Sequence, residues 1–196
     1  QEFCPIPNST RNKNRLITTA SADVPLKGLD YSLKALKLLK KDNPKMHLVV
    51  IGNYKKNGHT ERLIKKLGIE QDVIFKKNIS KDEIKKLYSS SSIAIVSSLY
   101  EGFGYPVIEA MSCEVPIIAT NVSSIPELVS DFGTLIEPKN ENQLKKSIIK
   151  VMQNYDHFKD IAIKGRQHVI ETFNWSKITS EYEKIIYETV DRFKKC

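Results

Sequence analysis

Two glutamates, Glu101 and Glu109, stand in surroundings suited to bind hydroxyl groups. The seven residues between them include Gly102, Gly104 and Pro106. The glycines allow backbone amides to approach a ligand closely, and Pro106 suits the first position of a helix, where no N–H is needed. A helix beginning there offers free N–H groups and a positive dipole end to anions or sugar oxygens. The two carboxylates could accept hydrogen bonds from vicinal hydroxyls, as an acidic residue does for ribose in dinucleotide-binding folds.

The elements that must position this turn are indicated by short apolar runs, which alternate with segments of helical spacing. Strands are predicted at residues 16–17, 48–51, 73–75, 93–96 and 116–119, and helices at 29–39, 62–67, 106–111 and 125–129. Ser80 followed by Glu83 is a capping-box signature, which predicts a further helix start. The segment 140–193 has no strand signal and is predicted to form three helices, with breaks near 154–156 and 174–176.

The predicted strands are apolar throughout rather than alternating, which indicates burial on both faces. Helices between successive strands imply right-handed crossovers. We therefore predict an α/β fold with a doubly wound parallel sheet of about six strands and a helical C-terminal tail. In such sheets ligands bind beyond the carboxyl ends of the strands, where the turn that carries Glu101 follows the strand at 93–96.

The composition limits the classes of partner. The 196 residues include 31 Lys and Arg against 23 Asp and Glu, giving a net charge of +8, which favours phosphate ligands, nucleic acid or an acidic membrane surface.

Three widely spaced cysteines argue against a disulfide framework or a zinc ribbon and favour a reducing compartment. The longest apolar runs fall far short of the ~18 residues of a membrane span. The four histidines fit no metal-ligand spacing, and no metal site is predicted.

The pattern E-x-F-G-x-x-x-x-E, formed by Glu101, Phe103, Gly104 and Glu109, resembles the E-x7-E motif of retaining GT-B glycosyltransferases. The specific resemblance is to family 4, the glycosyl transferases group 1. Further stretches match in the same order, namely Lys-Gly at 27–28, Glu-Ala-Met-Ser-Cys at 109–113, Pro116, Ala-Thr at 119–120, Ile-Pro-Glu-Leu-Val at 125–129 and Phe-Asn-Trp-Ser at 173–176. The likeness runs from about residue 15 to 187 and so covers nearly the whole chain.

This resemblance implies one half of a GT-B fold, a Rossmann-like nucleotide-sugar-binding domain. Residues 1–14 would be an interdomain linker or tail, 15–172 the domain and 173–196 a C-terminal helix. The acceptor-binding domain would precede Gln1, so the isolated chain would bind nucleotide but would not catalyse sugar transfer. No cofactor is implied beyond the nucleotide-sugar substrate, and the expected location is cytoplasmic. The lysine-rich helices would form either a solvated face or a peripheral contact with the anionic inner face of a membrane.

The family pattern assigns a role to each matching residue. Lys27 would neutralise the donor diphosphate, and Glu109 would bind the ribose hydroxyls. Glu101 would be the catalytic carboxylate that binds the donor sugar, with the amides of Phe103 and Gly104 nearby, but it is assigned neither as nucleophile nor as base. A covalent intermediate would need a carboxylate on the far face of the sugar. The family is commonly interpreted instead as front-face transfer, in which the leaving phosphate takes the acceptor proton.

Two further positions concern the nucleotide. Ile79 matches the family position whose backbone contacts the base, although a hydrophobic staple ahead of the Ser80 cap explains it equally well. The family usually has an arginine five residues before its lysine, where this chain has Ala22. The two-cation clamp on the diphosphate is therefore in doubt, and Lys55 or Lys56, after the second strand, are candidates to replace the arginine.

Plainer interpretations stay open. Lys27 could be one more solvated lysine, and either glutamate could serve only to stabilise a helix dipole. At the level of the whole protein, the alternatives are a nucleotide-binding module without transferase activity and a GT-B-like sugar epimerase. A nucleic-acid-binding domain is disfavoured because the sequence has no aromatic stacking cluster and no recognition-helix motif.

Overall fold

The computed structural model describes residues 2–21 and 23–194. The strands are β1 (Asn12–Thr19), β2 (His47–Ile51), β3 (Val73–Lys76), β4 (Ser91–Val96), β5 (Ile117–Thr120) and β6 (Thr134–Ile136). The helices are α1 (Leu29–Leu39), α2 (His59–Leu67), α3 (Lys81–Ser89), α4 (Tyr105–Ser112), α5 (Ile125–Val129), α6 (Glu141–Gln153), α7 (Tyr155–Thr172) and α8 (Trp175–Lys194). The predicted capping box at Ser80 and Glu83 is present at the start of α3.

The strands form one parallel sheet in the order β3-β2-β1-β4-β5-β6, which confirms the predicted doubly wound α/β fold. Leu16 of β1 lies opposite Leu48 of β2 on one side and Ile93 of β4 on the other. The strand order reverses between β1 and β4, so the helices that follow these two strands, α1 and α4, pack on opposite faces of the sheet. A crevice at such a switch point is where open α/β sheets bind ligands.

The continuous apolar strands have a simple explanation in the two hydrophobic cores. Successive side chains of a strand point to opposite faces, so Leu16 packs with α1, α2 and α6, while Ile17 packs with α3, α4, α5 and α7. Ile93 and Ala94 of β4 divide in the same way. Because helices cover both faces, the side chains on both sides of the strands are buried, which is why the alternating apolar and polar pattern is missing. The few polar strand residues, such as Thr18 and Ser92, are buried as well.

The N-terminal segment is more ordered than its composition indicates. β1 begins at Asn12, within residues 1–14 that were assigned to a linker or tail, because polar Asn12, Lys13 and Asn14 give no apolar strand signal. Arg11 fixes this segment by donating hydrogen bonds to four carbonyl oxygens at the ends of α3 and α4 and the start of β4, those of Tyr88, Ser91, Cys113 and Glu114.

The C-terminal tail forms three helices, as predicted, with breaks at Asn154 and at Phe173–Asn174. The last helix, α8, lies almost wholly exposed, and its exposed side chains include Trp175, Tyr182, Ile186 and Phe193. None of the helices in residues 2–21 and 23–194 is both long and apolar enough to cross a membrane.

Candidate active site

The loops after β1 and β4 meet at the carboxyl edge of the sheet. After β1 the chain makes a short 3-10 turn, Pro25–Lys27, and the amide of Leu99, in the loop after β4, donates a 2.7 Å hydrogen bond to the carbonyl of Leu26. Gly28 follows with φ of 60°, and a Cβ at this position would lie 1.9 Å from the carbonyl oxygen of Ser97. Only glycine permits this close approach, which sets Lys27 over the second loop.

Lys27 and Glu101 form an ion pair across this junction. The distance from Lys27 Nζ to Glu101 Oε1 is 2.7 Å, and the Glu101 side chain is 8% exposed against 31% for Lys27. The hydroxyl of Ser98 donates a second hydrogen bond, also 2.7 Å, to the same carboxylate oxygen. A nearly buried carboxylate thus has two donors, one of which is a partly accessible ammonium group. The pair lies at the carboxyl edge of the sheet, where folds of this kind bind ligands.

The glycine-containing loop has its own anchors. The hydroxyl of Ser124 donates to the carbonyl of Phe103 at 2.7 Å, and Gly104 adopts φ of 103° at the N-cap of α4. A Cβ on Gly104 would lie 2.9 Å from the Leu128 side chain, whereas Gly102 has no heavy atom within 4 Å of that position. The lack of a side chain at Gly104 therefore allows the start of α4 to pack closely against Leu128. At Gly102 the same position is open space.

Aromatic side chains flank the same loop. Phe103, which is 40% exposed, packs edge-on against Tyr105 and against Phe173, with ring centroids 5.1 and 6.1 Å apart. The contact with Phe173 brings the late Phe-Asn-Trp-Ser segment beside the Glu101–Glu109 loop. Two stretches of the family pattern that are 70 positions apart in sequence are therefore neighbours in the fold.

Glu109 belongs to a second polar group, on the side of α4 that faces α3. Tyr88 is fully buried, and its hydroxyl lies 2.9 Å from Thr19 Oγ1 at the end of β1. Burial raises the pKa of Glu109 to about 7, although hydrogen bonding to Tyr88 and the charge of Lys81 act in the opposite direction. Burial also raises the pKa of Tyr88, which therefore stays a hydrogen-bond donor at every physiological pH.

The two groups are separate in the described part of the chain. No hydrogen bond or ion pair among residues 2–21 and 23–194 joins Glu109 to the Lys27–Glu101 pair. Glu109 instead borders an open cleft of about 1020 Å³, whose lining also includes Lys81, Tyr105 and Trp175. A ligand that contacted both Glu109 and the Lys27–Glu101 pair would have to span the start of α4. An extended molecule with hydroxyl groups at both ends could do this.

The loop after β2 is tied to the loop after β1 by Asp23. Its carboxylate accepts hydrogen bonds from the amide of Lys55 at 2.8 Å and from the amide of Thr60, in the first turn of α2, at 2.9 Å. Burial acts to raise the pKa of Asp23, but the hydrogen bonds from Lys55 and Thr60 outweigh it and hold this pKa below its usual value. Lys55 and Lys56 are exposed beside this loop. Ala22, where the family arginine is missing, lies outside the described residues, so the second cation on a diphosphate stays a prediction.

Ile79 is half-buried, and its side chain packs against the core formed by α3, α4, α5 and α7. This packing agrees with the staple interpretation, and the contact of its backbone with a base stays a prediction. In the described residues, no group of three or more His, Cys, Asp or Glu side chains is arranged to hold a metal ion.

Sequence reasoning missed three side chains that shape the site, Ser98, Tyr88 and Asp23. The spacing of Ser98 and Glu101, three residues apart, is a local signal that could have indicated their contact. In the sequence, Tyr88 is indistinguishable from the other residues on the apolar face of α3. The partners of Asp23 are more than 30 residues away, so no local pattern indicates them either.

Comparisons with known proteins identify the family of the chain. Residues 5–168 match the family model of the glycosyl transferases group 1. The MMP alpha-(1->4)-mannosyltransferase of Mycolicibacterium hassiacum is 31% identical over 193 residues, which cover 97% of this chain and 47% of that protein.

Solved structures share the fold. Sucrose-phosphate synthase from Thermosynechococcus elongatus superposes with a TM-score of 0.83 at 21% identity, covering 97% of this chain and 50% of that one. Anabaena HepE in complex with UDP-glucose gives a TM-score of 0.79 at 21% identity, covering 90% and 49%. The chain thus spans about half the length of the curated relatives it matches. With this sheet, this loop pair and this family match, the chain belongs to the glycosyl transferases group 1 and has the fold of a GT-B C-terminal domain.

Proposed function

We propose that this chain is the donor-binding half of a retaining glycosyltransferase of family 4, which transfers a sugar from a nucleotide sugar to an acceptor hydroxyl. The observation that carries the proposal is the Lys27–Glu101 ion pair at the carboxyl edge of the sheet. It places a cation suited to a diphosphate next to a carboxylate suited to sugar hydroxyls. The names of the mannosyltransferase relative and of the UDP-glucose complex support the same class of donor.

Each residue then has a part in binding. Lys27 neutralises the diphosphate as a point charge, while Glu101 and the amides of Phe103 and Gly104 bind the sugar. Glu109 accepts hydrogen bonds from the ribose hydroxyls, on the far side of the α4 start. The two groups match the two ends of a nucleotide sugar, whose diphosphate would cross the positive end of the α4 dipole.

In the proposed reaction these residues form no covalent bond to the substrate. The bond between the anomeric carbon and the diphosphate breaks, the acceptor oxygen forms the new bond on the same face, and a phosphate oxygen takes the acceptor proton. Lys27 and the α4 N-terminus would stabilise the charge that develops on the leaving diphosphate. Glu101 would stabilise the sugar as positive charge develops at its reacting carbon.

The acceptor would be bound by a second domain, which the half-length match to longer relatives supports. The exposed apolar side chains of α8, Tyr182, Ile186 and Phe193 among them, offer a surface on which such a domain could pack. Without it, donor and acceptor are not held in reacting geometry, a contribution on the order of 7–11 kcal/mol to catalysis. The isolated chain should therefore bind donor and transfer nothing.

The test is calorimetric titration of the chain with UDP, GDP and ADP. We expect one of them to bind weakly, with a dissociation constant on the order of 1 mM or below, because a half-site leaves much of the ligand in water. If none binds at millimolar concentration, the chain is not a donor site.

A peripheral contact with an anionic membrane is a separate part of the proposal, supported by the net charge of +8. Sedimentation with vesicles that contain anionic lipid, at low and at high salt, tests it. Equal sedimentation with neutral vesicles would refute an electrostatic contact.

A further inference from the structure

Ser98 lies where β4 passes into the glycine-containing loop, and it is almost completely buried. Its carbonyl accepts a hydrogen bond from the hydroxyl of Thr120, at the end of β5, so its main chain is fixed by the neighbouring strand. Its own hydroxyl donates to Oε1 of Glu101 at 2.7 Å. The Glu101 side chain is therefore attached to the rigid sheet through one short hydrogen bond.

Both donors to Glu101 converge on one oxygen. Lys27 Nζ and Ser98 Oγ each lie 2.7 Å from Oε1. Oε2 accepts no hydrogen bond from residues 2–21 and 23–194, and it is not fully buried. A carboxylate can accept about four hydrogen bonds. The arrangement therefore occupies one oxygen of Glu101 and leaves the other free for an incoming donor group.

A bound diphosphate would affect the two donors to Glu101, Lys27 and Ser98, differently. The Lys27 ammonium is the partly exposed member of the pair, and a diphosphate would compete with Glu101 for it. Ser98 has no access to such a ligand, because it is buried beneath the loop. Its hydrogen bond would persist, and it would then be the main restraint on the orientation of the carboxylate.

We propose that Ser98 is a positioning residue, which holds Oε1 of Glu101 so that Oε2 accepts a hydrogen bond from the donor sugar. This inference rests on the proposed donor-binding function and adds to it the side chain that orients the sugar-binding carboxylate. It predicts a selective effect: loss of the Ser98 hydroxyl should weaken binding of the sugar part and spare binding of the nucleotide part.

The experiment compares two ligands for each variant of the whole chain by calorimetry, UDP with UDP-glucose, or GDP with GDP-mannose if guanine is the preferred base. In Ser98→Ala we expect affinity for the nucleotide sugar to fall roughly tenfold, as for one hydrogen bond to a charged group. Affinity for the nucleoside diphosphate should change less than about twofold. Ser92→Ala is the matched control, since Ser92 is a buried serine of β4, the strand that leads to Ser98, and its hydroxyl donates to the Arg15 carbonyl. It should leave the ratio of the two affinities unchanged.

A second variant tests the oxygen assignment. In Glu101→Gln the amide oxygen should face the two donors, Lys27 and Ser98, so that the NH2 group replaces Oε2. Nucleotide-sugar affinity should again fall roughly tenfold, while the nucleoside diphosphate should bind at least as well as to the unchanged chain, because Lys27 loses a competing carboxylate. If thermal unfolding shows that Ser98→Ala does not fold, this variant still tests whether Oε2 meets the sugar, without which the inference fails.

The outcomes separate this inference from the proposed function. If the unchanged chain binds no nucleoside diphosphate, the proposed function fails. If it binds both ligands, and Ser98→Ala lowers both affinities equally or neither, Ser98 is only structural and the inference is wrong. An unchanged affinity ratio in Glu101→Gln would likewise show that Oε2 does not meet the sugar.

Discussion

Replacing Glu109 by glutamine should make the protein more stable at high pH and leave its stability at low pH almost unchanged. Burial raises the pKa of Glu109 from an ordinary 4.5 to about 7 in the folded state. The folded protein therefore binds a proton more tightly than the unfolded chain does. The stability that this group contributes is fully present below pH 4.5 and is lost as pH rises through 7.

The size of the effect follows from the same pKa values. A separation between 4.5 and about 7 corresponds to at most about 3 kcal/mol at 25 °C, because each pKa unit is worth about 1.4 kcal/mol. Glutamine keeps the shape and an acceptor for the Tyr88 hydroxyl but carries no charge. The stabilisation of Glu109→Gln relative to the unchanged chain should therefore grow from near zero at pH 4.5 toward that limit at pH 8.

Urea unfolding of both proteins at pH 4.5, 6 and 8, followed by circular dichroism, measures this difference. Glu127→Gln is the control, because Glu127 is an exposed glutamate in the first turn of α5. Its stability difference from the unchanged chain should stay flat across the same range. A flat difference for Glu109→Gln as well would refute the reasoning, since it would mean that this carboxyl is as well solvated when folded as when unfolded.

Three further predictions concern the site and its support. Lys27→Ala should weaken binding of a nucleoside diphosphate at least tenfold while changing nucleoside binding less than about twofold, because the ammonium acts on the phosphates; equal losses in calorimetry would place Lys27 elsewhere. Arg11→Ala should lower the free energy of unfolding by on the order of 3 kcal/mol, since four carbonyl oxygens lose their donor; a change below about 1 kcal/mol in urea unfolding would contradict this. In the parent enzyme, Glu101→Gln should lower kcat, whereas Glu109→Gln should mainly raise the KM for the donor. Steady-state kinetics with the reverse pattern would show that the two roles are exchanged.

Local patterns in the sequence were enough to predict the fold and the family. Residues 93–96 of β4 are apolar at every position, a pattern typical of a sheet that is covered by helices on both faces. Ser80 and Glu83 form their capping box within one turn, so no distant residue is involved. Gly104 and Pro106 mark the start of α4 for equally local reasons, although the helix begins one residue before Pro106. The order of the motifs predicted the family, which the comparisons confirm.

Tertiary structure alone decided how the site is held. Lys27 meets Glu101, Tyr88 meets Thr19, and Arg11 meets the ends of two helices, in contacts between residues roughly 70 to 100 positions apart. Such partners are chosen by strand order and register, which form only when the sheet assembles. Burial is also a property of the folded chain, and it is burial that raises the pKa of Glu109 and keeps the Ser98 hydroxyl away from solvent. The sequence therefore determined which residues could do the chemistry, and the packing of α3 and α4 on the sheet determined the surroundings in which they would do it.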